Sequence, residues 1–337
     1  MQSKRVALAL VFLAATAAVT ACGEPAGAPR QAAPAPGYPV TISNCGKDIT
    51  FQRPPSRTVV MNGGSVAEVS TLMALGLGDR VVANAQSYGA SDEPGRAEAI
   101  AKLPTGDIKL NDLMDIPREA MLGLRPDFVL STYSGGFDGN RGFATREDLG
   151  AIGANTYVPA KMCGTGGTQG IDDSYAMLRD LGKVYGVSDR AEQIITDARR
   201  RIAQVDARVK DKPKPRVMLI IPGMDMGAGD FSSVGAQGIW NDIIAKAGGV
   251  NAFADSSGQL FANLSKEQLA AARIDAVIVV NYHNPDPAAS AAALYAQFPQ
   301  WEAAKAKRHV VLSDSVYFGP NNATAVERIA ALLHPTA

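Results

Sequence analysis

VSDRAEQIITDARRRIAQVDARVK, residues 187–210, is the stretch around which the rest of the chain is organised, and it predicts one uninterrupted helix from Ser188 to Lys210. Its apolar residues recur at spacings of three and four, whereas charged residues fill the other faces, which indicates an amphipathic helix. Ser188 is the predicted N-cap, and the breaker run DKPKP at 211–215 ends the helix. At 1.5 Å per residue the helix would be about 35 Å long, the width of a small domain.

An ordinary surface helix would show the same periodicity, but the segments on either side favour a connecting role. Strand and helix signals alternate from Thr58 to Val158 and again from Val217 to Leu333, which predicts βαβ units and two mainly parallel sheets. One detail is repeated: Glu119 precedes Asp127 by eight residues, and Glu267 precedes Asp275 by eight residues. We therefore expect two related α/β lobes joined by the long helix.

Composition narrows the class of protein. The 337 residues include 33 basic and 33 acidic side chains, so no net charge favours a nucleic-acid partner. Apolar residues make up 46% of the chain, with 33 Gly and 20 Pro, which is typical of a large globular α/β protein with many turns.

The N-terminus is predicted to be a targeting segment. Lys4 and Arg5 precede a short apolar run at 6–19, which is too brief for a spanning helix and is typical of a secretory signal. Val-Thr-Ala-Cys at 19–22, followed by Gly23, resembles a bacterial lipobox, so Cys22 is the predicted lipidation site; an ordinary signal sequence is the alternative. Residues 22–38 are rich in Pro, Ala and Gly and are predicted to be a flexible tether.

The cysteine count agrees with export. If Cys22 carries lipid, Cys45 and Cys163 remain as a pair, and an oxidising compartment favours a disulfide between them. Metal binding by the pair is the weaker alternative, because neither cysteine has a second cysteine or a histidine nearby in sequence.

Four motifs are similar to those of the class III substrate-binding proteins of ABC importers, the receptors for ferric siderophores, haem and cobalamin. They are PREAMLGLRPDFVL at 117–130, LGKVYGVSDRAEQII at 181–195, LSKEQLAAARIDAVIVV at 264–280 and FPQWEAAKAKRHVVLSD at 298–314. The resemblance implies two Rossmann-like lobes joined by a single long helix. The expected division is a signal peptide at 1–21, the tether at 22–38, an N-terminal lobe at 39–187, the connecting helix at 188–212 and a C-terminal lobe at 213–337.

Ligands of open α/β sheets lie beyond the carboxyl ends of the strands, so the loops there are the predicted walls of the cleft. Aromatic rings and glycines in these loops suit a large, partly apolar chelate. Packing of each aromatic against its own lobe is the competing interpretation. The candidate ligand-binding residues are Asn62, Ser65, Tyr88, Lys109, Tyr133, Phe137, Arg141, Met224, Met226, Phe231, Tyr282, His283, Tyr317 and Phe318.

Two features of the sequence bear on the chemical class of the ligand. All three histidines fall in the C-terminal lobe, which disfavours a bare zinc or manganese site built from both lobes. The predicted loops contain no arginine cluster, which favours a near-neutral ligand such as a hydroxamate siderophore over a strongly anionic chelate. Haem, cobalamin and other cofactor-like metabolites remain alternatives, and no cofactor of the protein's own is expected.

The resemblance also implies partners. One exposed glutamate on each lobe of the family pairs with arginines of the membrane permease, and Glu119 and Glu267 occupy the matching positions. Complementing the helix dipole is the plainer role of each. We expect a monomer, anchored by its lipid to the outer face of the cytoplasmic membrane or held in the periplasm.

An exported enzyme on the same scaffold is the competing function. The sequence contains no G-x-S-x-G elbow, H-E-x-x-H motif or P-loop, so an acid/base pair would rely on carboxylates such as Asp107 and Asp225. A binding protein without chemistry of its own is therefore the prediction.

The single connecting helix predicts that the two lobes move relative to each other by only a few degrees when the ligand binds.

Overall fold

The computed structural model describes residues 33–63, 66–86, 91–164, 170–222, 231–282 and 284–335. Residues from Pro34 onward belong to one compact unit. The predicted signal peptide and Cys22 lie outside the described residues. In the described part, no helix combines the length and apolar character needed to cross a membrane.

The described residues form twelve strands and eleven helices. The strands are β1 Val40–Asn44, β2 Lys47–Phe51, β3 Thr58–Val60, β4 Val81–Asn84, β5 Phe128–Leu130, β6 Asn155–Tyr157, β7 Arg216–Ile220, β8 Phe231–Val234, β9 Val250–Asn251, β10 Phe261–Leu264, β11 Ala276–Asn281 and β12 His309–Ser313. The helices are α1 Ala67–Ala74, α2 Arg96–Ala101, α3 Arg118–Gly123, α4 Arg146–Ala151, α5 Ile171–Tyr185, α6 Ser188–Val209, α7 Ile239–Lys246, α8 Lys266–Ala271, α9 Pro287–Gln297, α10 Glu302–Lys305 and α11 Asn322–Leu333.

Two four-stranded parallel sheets organise the molecule, one on each side of α6 in the sequence. The N-terminal sheet has the order β4-β3-β5-β6, and the C-terminal sheet has the order β12-β11-β7-β9. The predicted α/β class with parallel sheets is confirmed. Because both sheets are parallel, each places the loops that follow its strands at one edge.

The long helix runs from Ser188 to Val209, within one residue of the predicted span. Six of the seven residues of the predicted apolar stripe are buried, namely Ala191, Ile195, Ala198, Ile202, Val205 and Val209. The seventh, Ile194, is half-buried. The predicted N-cap is wrong, because the N-cap position is Val187, which makes no side-chain capping bond. The helix therefore owes its position to the packing of its apolar face, as most helices in proteins do.

Helix α5 packs along α6 at close range. A Cβ added at Gly182 would lie 2.7 Å from the Cβ of Ala191, so glycine permits the approach of the two helices. The stripe of α6 belongs to a hydrophobic cluster that also includes residues of β3, α1 and α5 and of β7, β11 and α11. This shared core joins the two sheets through the helices around α6.

A hairpin precedes the N-terminal sheet and is fixed to it. Strands β1 and β2 pair antiparallel, as the alternation of apolar residues predicted. A disulfide joins Cys45 at the hairpin turn to Cys163 after β6, so the expected pair is present. Beside it, Asn44 Nδ2 donates to the Val158 oxygen at 2.6 Å, and the Val158 N–H donates to Asn44 Oδ1 at 3.1 Å. These links attach the hairpin to the β6 edge.

One part of the predicted C-terminal layout is wrong. The Gly-rich sequence from Pro222 to Gly235 predicts a loop, but this segment contains β8, which pairs antiparallel with β10. The sequence from Leu264 to Ala272 predicts a helix, but Leu264 ends β10, and α8 follows with Ser265 as its N-cap. The small β8–β10 sheet covers part of the core of the C-terminal sheet through Val234, Ala262 and Leu264, which are all buried.

Candidate functional site

Asn62, in the segment after β3, forms hydrogen bonds that attach the 111–115 loop to the end of this strand. Its backbone N–H donates to Asp115 Oδ1 at 3.0 Å, and its side-chain Nδ2 donates to the Met114 oxygen at 2.6 Å. The 111–115 loop has internal hydrogen bonds, since Asn111 Oδ1 accepts from the N–H groups of Leu113 and Asp115. Asn62 is half-buried, and the loop presents Leu113 and Met114 to solvent, with exposed fractions of 49% and 60%.

Asp115 is a buried carboxyl group at the same place. Its Oδ1 also accepts from the Ile116 N–H at 2.8 Å, whereas its Oδ2 is buried and has no hydrogen-bond partner among the described residues. Burial raises the pKa of Asp115 to about 7, against the lowering effect of the two N–H donors and of the Arg141 charge. Desolvation outweighs hydrogen bonding here because one carboxylate oxygen gains no partner.

Glu68 joins the ends of three neighbouring strands. It lies in the first turn of α1 after β3, and its Oε2 accepts from Gln86 Nε2 at 2.6 Å and from Thr132 Oγ1 at 2.9 Å. Gln86 follows β4 and Thr132 follows β5. Gln86 Oε1 in turn accepts from the Val69 N–H at 3.1 Å. The carboxyl group is therefore the centre of a buried polar network directly beneath the edge where the strands end.

The S-x-x-E spacing of Ser65 and Glu68 in the sequence predicts a capping box, but the structure does not place Glu68 in that role. Ser65 lies outside the described residues, the N-cap of α1 is Val66, and Glu68 is fully buried with its Oε1 unpaired among the described residues. Burial raises the pKa of Glu68, although Gln86 and Thr132 donate to it. One feature of the sequence was consistent with a buried carboxyl group, since Glu68 is an acidic residue within an apolar segment.

Tyr133 and Arg141 form the aromatic and cationic part of this edge. Arg141 Nη1 donates to the Tyr133 hydroxyl at 3.0 Å, and the guanidinium carbon lies 5.7 Å from the centroid of the Tyr133 ring. The same carbon lies 5.5 Å from the ring of Phe143. Arg141 is exposed and Tyr133 is half-buried, so a cation held against two rings faces solvent beside the end of β5.

Two predicted ligand contacts belong to the hydrophobic core instead. Phe318 is 1% exposed, and Phe137 is 7% exposed with the guanidinium of Arg146 over its ring at 4.7 Å. The competing interpretation, packing within the protein, is correct for both. Residue spacing after a strand does not say which way a ring turns.

The remaining aromatic candidates of the C-terminal part are partly buried. Tyr317 stacks on Trp240 with centroids 6.1 Å apart, and Tyr282 packs against the same hydrophobic cluster. Phe231 lies edge-on to Phe298 at 5.6 Å. Lys109 is exposed. Ser65, Tyr88, Met224, Met226 and His283 lie outside the described residues.

Glu119 and Glu267 are both exposed in the first turn of a short helix, α3 and α8 respectively, but their surroundings differ. Glu119 Oε1 accepts from Arg118 Nη1 at 2.9 Å, and Arg118 also binds both carboxylate oxygens of Asp148, at 2.7 and 2.9 Å. For Glu267, backbone N–H donation and the Ser265 hydroxyl lower the pKa. Glu119 is thus held in an ion-pair network, and Glu267 by a helix N-terminus.

A groove of about 880 Å³ lies elsewhere on the molecule. It is lined by residues of α6 and α11 and of the segments after them, including Gln204, Arg208, Glu327 and His334. None of its lining residues follows a strand of either sheet, so this groove is separate from the predicted cleft.

Comparison with known proteins agrees with this architecture. A family model described as periplasmic binding protein matches residues 63–316. A periplasmic binding protein from Veillonella parvula DSM 2008 superposes with a TM-score of 0.71 at 20% identity, covering 88% of this chain and 97% of that one. An ABC-type Fe³⁺-hydroxamate transport system protein from Saccharomonospora viridis DSM 43017 gives 0.67 at 24%, covering 88% and 99%.

A periplasmic haem-binding protein from Roseiflexus sp. RS-1 has a TM-score of 0.63 at 21% identity, covering 83% of this chain and 98% of that one. These likenesses establish the fold, and the family match extends from the end of β3 to the segment after β12. The chain therefore belongs to the class III periplasmic binding proteins, the substrate-binding components of ABC importers.

Proposed function

We propose that the protein captures a ferric siderophore, of the hydroxamate type, between two lobes and delivers it to an ABC permease. Membership of the family supplies the coarser part, a small-molecule ligand, a permease partner and an extracytoplasmic location. The family is one of solute-binding transport proteins, which supports a binding role for this chain.

The lobes of the proposal are residues 39–187 and 213–337, with the helix at 188–212 between them. Each four-stranded sheet forms wholly on one side of α6. Two hydrophobic clusters support the division, since one draws all its buried residues from Val59 to Val158 and another from Met218 to Ala303. The cleft would lie where the carboxyl ends of the two sheets meet.

The observation that carries the hydroxamate assignment is the chemistry at the end of β3 and β5. Asn62 and Tyr133 offer neutral polar groups and an aromatic ring, and Arg141 is a single cation already bonded to the Tyr133 hydroxyl. A strongly anionic chelate would call for several unshared cations. The ring of Tyr133, the amide of Asn62 and the shared guanidinium of Arg141 suit a near-neutral ferric chelate with apolar linkers better than they suit a strongly anionic chelate.

Haem is the second candidate, because a haem-binding protein from Roseiflexus sp. RS-1 has the same fold. The similar protein from Saccharomonospora viridis DSM 43017 belongs to an Fe³⁺-hydroxamate transport system. Ligand titration separates the two candidates.

We expect a ferric trihydroxamate to quench the intrinsic Tyr and Trp fluorescence of the full chain to saturation, without turnover of the chelate. Tyr133→Ala should weaken the affinity roughly tenfold, since loss of a ring contact costs about 1.4 kcal/mol. Tyr133→Phe is the matched control, because it keeps the ring and should retain most of the affinity.

The same titration is repeated with a ferric catecholate, haem and cobalamin. Saturable binding of haem with no binding of the trihydroxamate would replace the hydroxamate assignment with haem. Equal affinities of the wild type and Tyr133→Ala for the trihydroxamate would remove Tyr133 from the site.

We also propose that Cys22 is lipidated and anchors the protein to the outer face of the cytoplasmic membrane. The lipobox-like run at 19–22 and the tether to residue 38 support the proposal. Metabolic labelling with a fatty-acid analogue should mark the wild type, and Cys22→Ser should abolish the label and release the protein from membranes. Labelling of the Cys22→Ser variant would contradict the proposal.

Docking to the permease is assigned to Glu119 and Glu267, one on each proposed lobe. Both carboxylates are exposed, both lie in the first turn of a helix, and both precede a central strand of their sheet by the same spacing. Such charges are suited to pair with basic side chains on a membrane partner.

A further inference from the structure

A contact joins the two sheets at their edge strands, apart from the helices around α6. Ser91 and Asp92 come after β4, the edge strand of the N-terminal sheet, and Ser313 ends β12, the edge strand of the C-terminal sheet. The Asp92 N–H donates to Ser313 Oγ at 3.1 Å, and the Ser313 N–H donates to Asp92 Oδ2 at 2.8 Å. The two residues thus bond each other reciprocally, across 221 residues of sequence.

The second oxygen of the Asp92 carboxylate binds a cation from the other side. Arg328 of α11 places Nη1 at 2.9 Å from Asp92 Oδ1 and donates from Nη2 to the Val311 oxygen of β12 at 2.6 Å. The guanidinium is therefore fixed on the C-terminal sheet while it reaches the N-terminal segment. Because one carboxylate oxygen accepts from a backbone N–H and the other from Arg328, both bonds are charge-assisted.

The serine side of this contact is closed to solvent, whereas the side chains of Asp92 and Arg328 are 23% and 39% exposed. Ser313 is 4% exposed and Ser315 is fully buried, and the hydroxyl groups of these two serines lie 2.8 Å apart. Ser315 Oγ donates to Ser91 Oγ at 3.4 Å, which extends the contact to a second pair. Water is excluded on the serine side, which strengthens the hydrogen bond from the Ser313 N–H to the carboxylate, whereas the partly exposed Asp92–Arg328 pair contributes less.

We infer that Asp92 is a strap that holds the two lobes at a fixed separation on the β4–β12 side of the cleft. The packed helices around α6 form one tie between the sheets, and Asp92 forms a second tie at their outer edges. A second point of attachment, away from the helices, restricts rotation of one sheet relative to the other. Asp92 would thereby set the width of the cleft on that side and act as a positioning residue for ligand capture.

The consequence for capture rests on the proposed function, but the strap itself is tested without any ligand. A separate contact serves as a remote reporter: the Ile171 N–H at the start of α5 donates to Asp242 Oδ2 of α7 at 2.8 Å. It joins the same two parts of the chain through elements that Asp92 does not touch.

The test is hydrogen exchange on the full chain, comparing wild type, Asp92→Ala and Arg328→Gln, with Glu98→Ala as a control in an exposed acidic residue of α2. We expect Asp92→Ala to speed exchange of the Ser313 amide about tenfold, because the amide of the buried Ser313 loses its charged acceptor. The Ile171 amide should exchange several-fold faster too, and Arg328→Gln should give smaller increases at both amides.

Faster exchange at Ser313 with no change at Ile171 would show a local contact and overturn the strap. No change at either amide would overturn it as well. Failure of every chelate to bind, with both amides responding as expected, would count against the proposed ligand and leave the strap in place.

Discussion

Replacing Asp115 by Asn is expected to raise the stability of the protein at neutral pH relative to wild type, and to leave it nearly unchanged at pH 4. Burial raises the folded pKa of Asp115 from its ordinary value of 3.8 to about 7. The folded state then binds more protons than the unfolded state, so stability falls as the pH rises through this window. A shift of this size corresponds to about 4 kcal/mol.

Asparagine is a close match at this site. Asp115 Oδ1 accepts both backbone bonds, from Asn62 and Ile116, and an amide oxygen can keep them. The amide nitrogen would replace Oδ2, which has no hydrogen-bond partner among the described residues. The variant therefore removes the ionisation of the group and little else, whereas Asp115→Ala also removes both acceptors and should be destabilised at every pH.

The measurement is urea unfolding of the full chain at several pH values from 4 to 8. Asp148 gives the opposite slope, since its ion pair with Arg118 lowers its pKa, whereas Glu68 gives the same slope as Asp115, since burial raises its pKa. Subtracting the free energy of unfolding of wild type from that of Asp115→Asn at each pH removes the contributions of all the carboxylates that the two proteins share. A difference that stays constant over this pH range would contradict the raised pKa.

Ionisation of Asp115 would also affect the candidate site. Asp115 fixes the 111–115 loop to Asn62 at the end of β3, so its carboxyl group lies at a candidate ligand contact. Nothing in the sequence marks Asp115 as special, because its burial depends on contact with a strand 53 residues earlier. Long-range contacts of this kind are what local patterns leave out.

Local patterns were sufficient for much of the fold. The stripe of α6 predicted its span to within one residue, because every apolar residue three or four positions apart must face the same core. The parallel sheets followed from the alternation of strands and helices. The β8–β10 pair was missed because Gly-rich sequence resembles a loop, and its strands gain their structure from pairing with each other.

The site was harder to predict than the fold. Glu68 was expected to cap a helix, but the structure surrounds its carboxyl group with Gln86 and Thr132, which lie 18 and 64 residues away in sequence. Phe318 follows a strand, as a ligand contact would, and yet its ring is buried in the core. Sequence position gives the neighbourhood of a side chain, and packing decides its direction.

Reversing both docking charges, in Glu119→Arg/Glu267→Arg, is expected to abolish ligand uptake by cells that depend on this protein, with no loss of ligand affinity. A charge reversal replaces attraction by repulsion at each contact and costs roughly 2–5 kcal/mol where water is excluded. Every tenfold loss of affinity corresponds to about 1.4 kcal/mol, so two reversals would weaken the affinity for the permease too far to support uptake.

The double variant should still quench to saturation with the ferric trihydroxamate, because both glutamates are exposed on helices that precede a strand, away from the strand ends. Normal uptake by the double variant would contradict the docking role. Loss of binding by the purified chain would contradict it too, since the substitutions would then act on the cleft or the fold. Glu98→Arg is the matched control and should leave uptake unchanged.

The single variants should differ. Arg118 already donates to Glu119 at 2.9 Å and is itself held by Asp148, so part of the charge of Glu119 is neutralised within the protein. The helix N-terminus and the Ser265 hydroxyl lower the pKa of Glu267 and keep it ionised. A permease cation would therefore gain more from Glu267, and Glu267→Arg should reduce uptake more than Glu119→Arg. Equal effects would show that Arg118 releases Glu119 on docking.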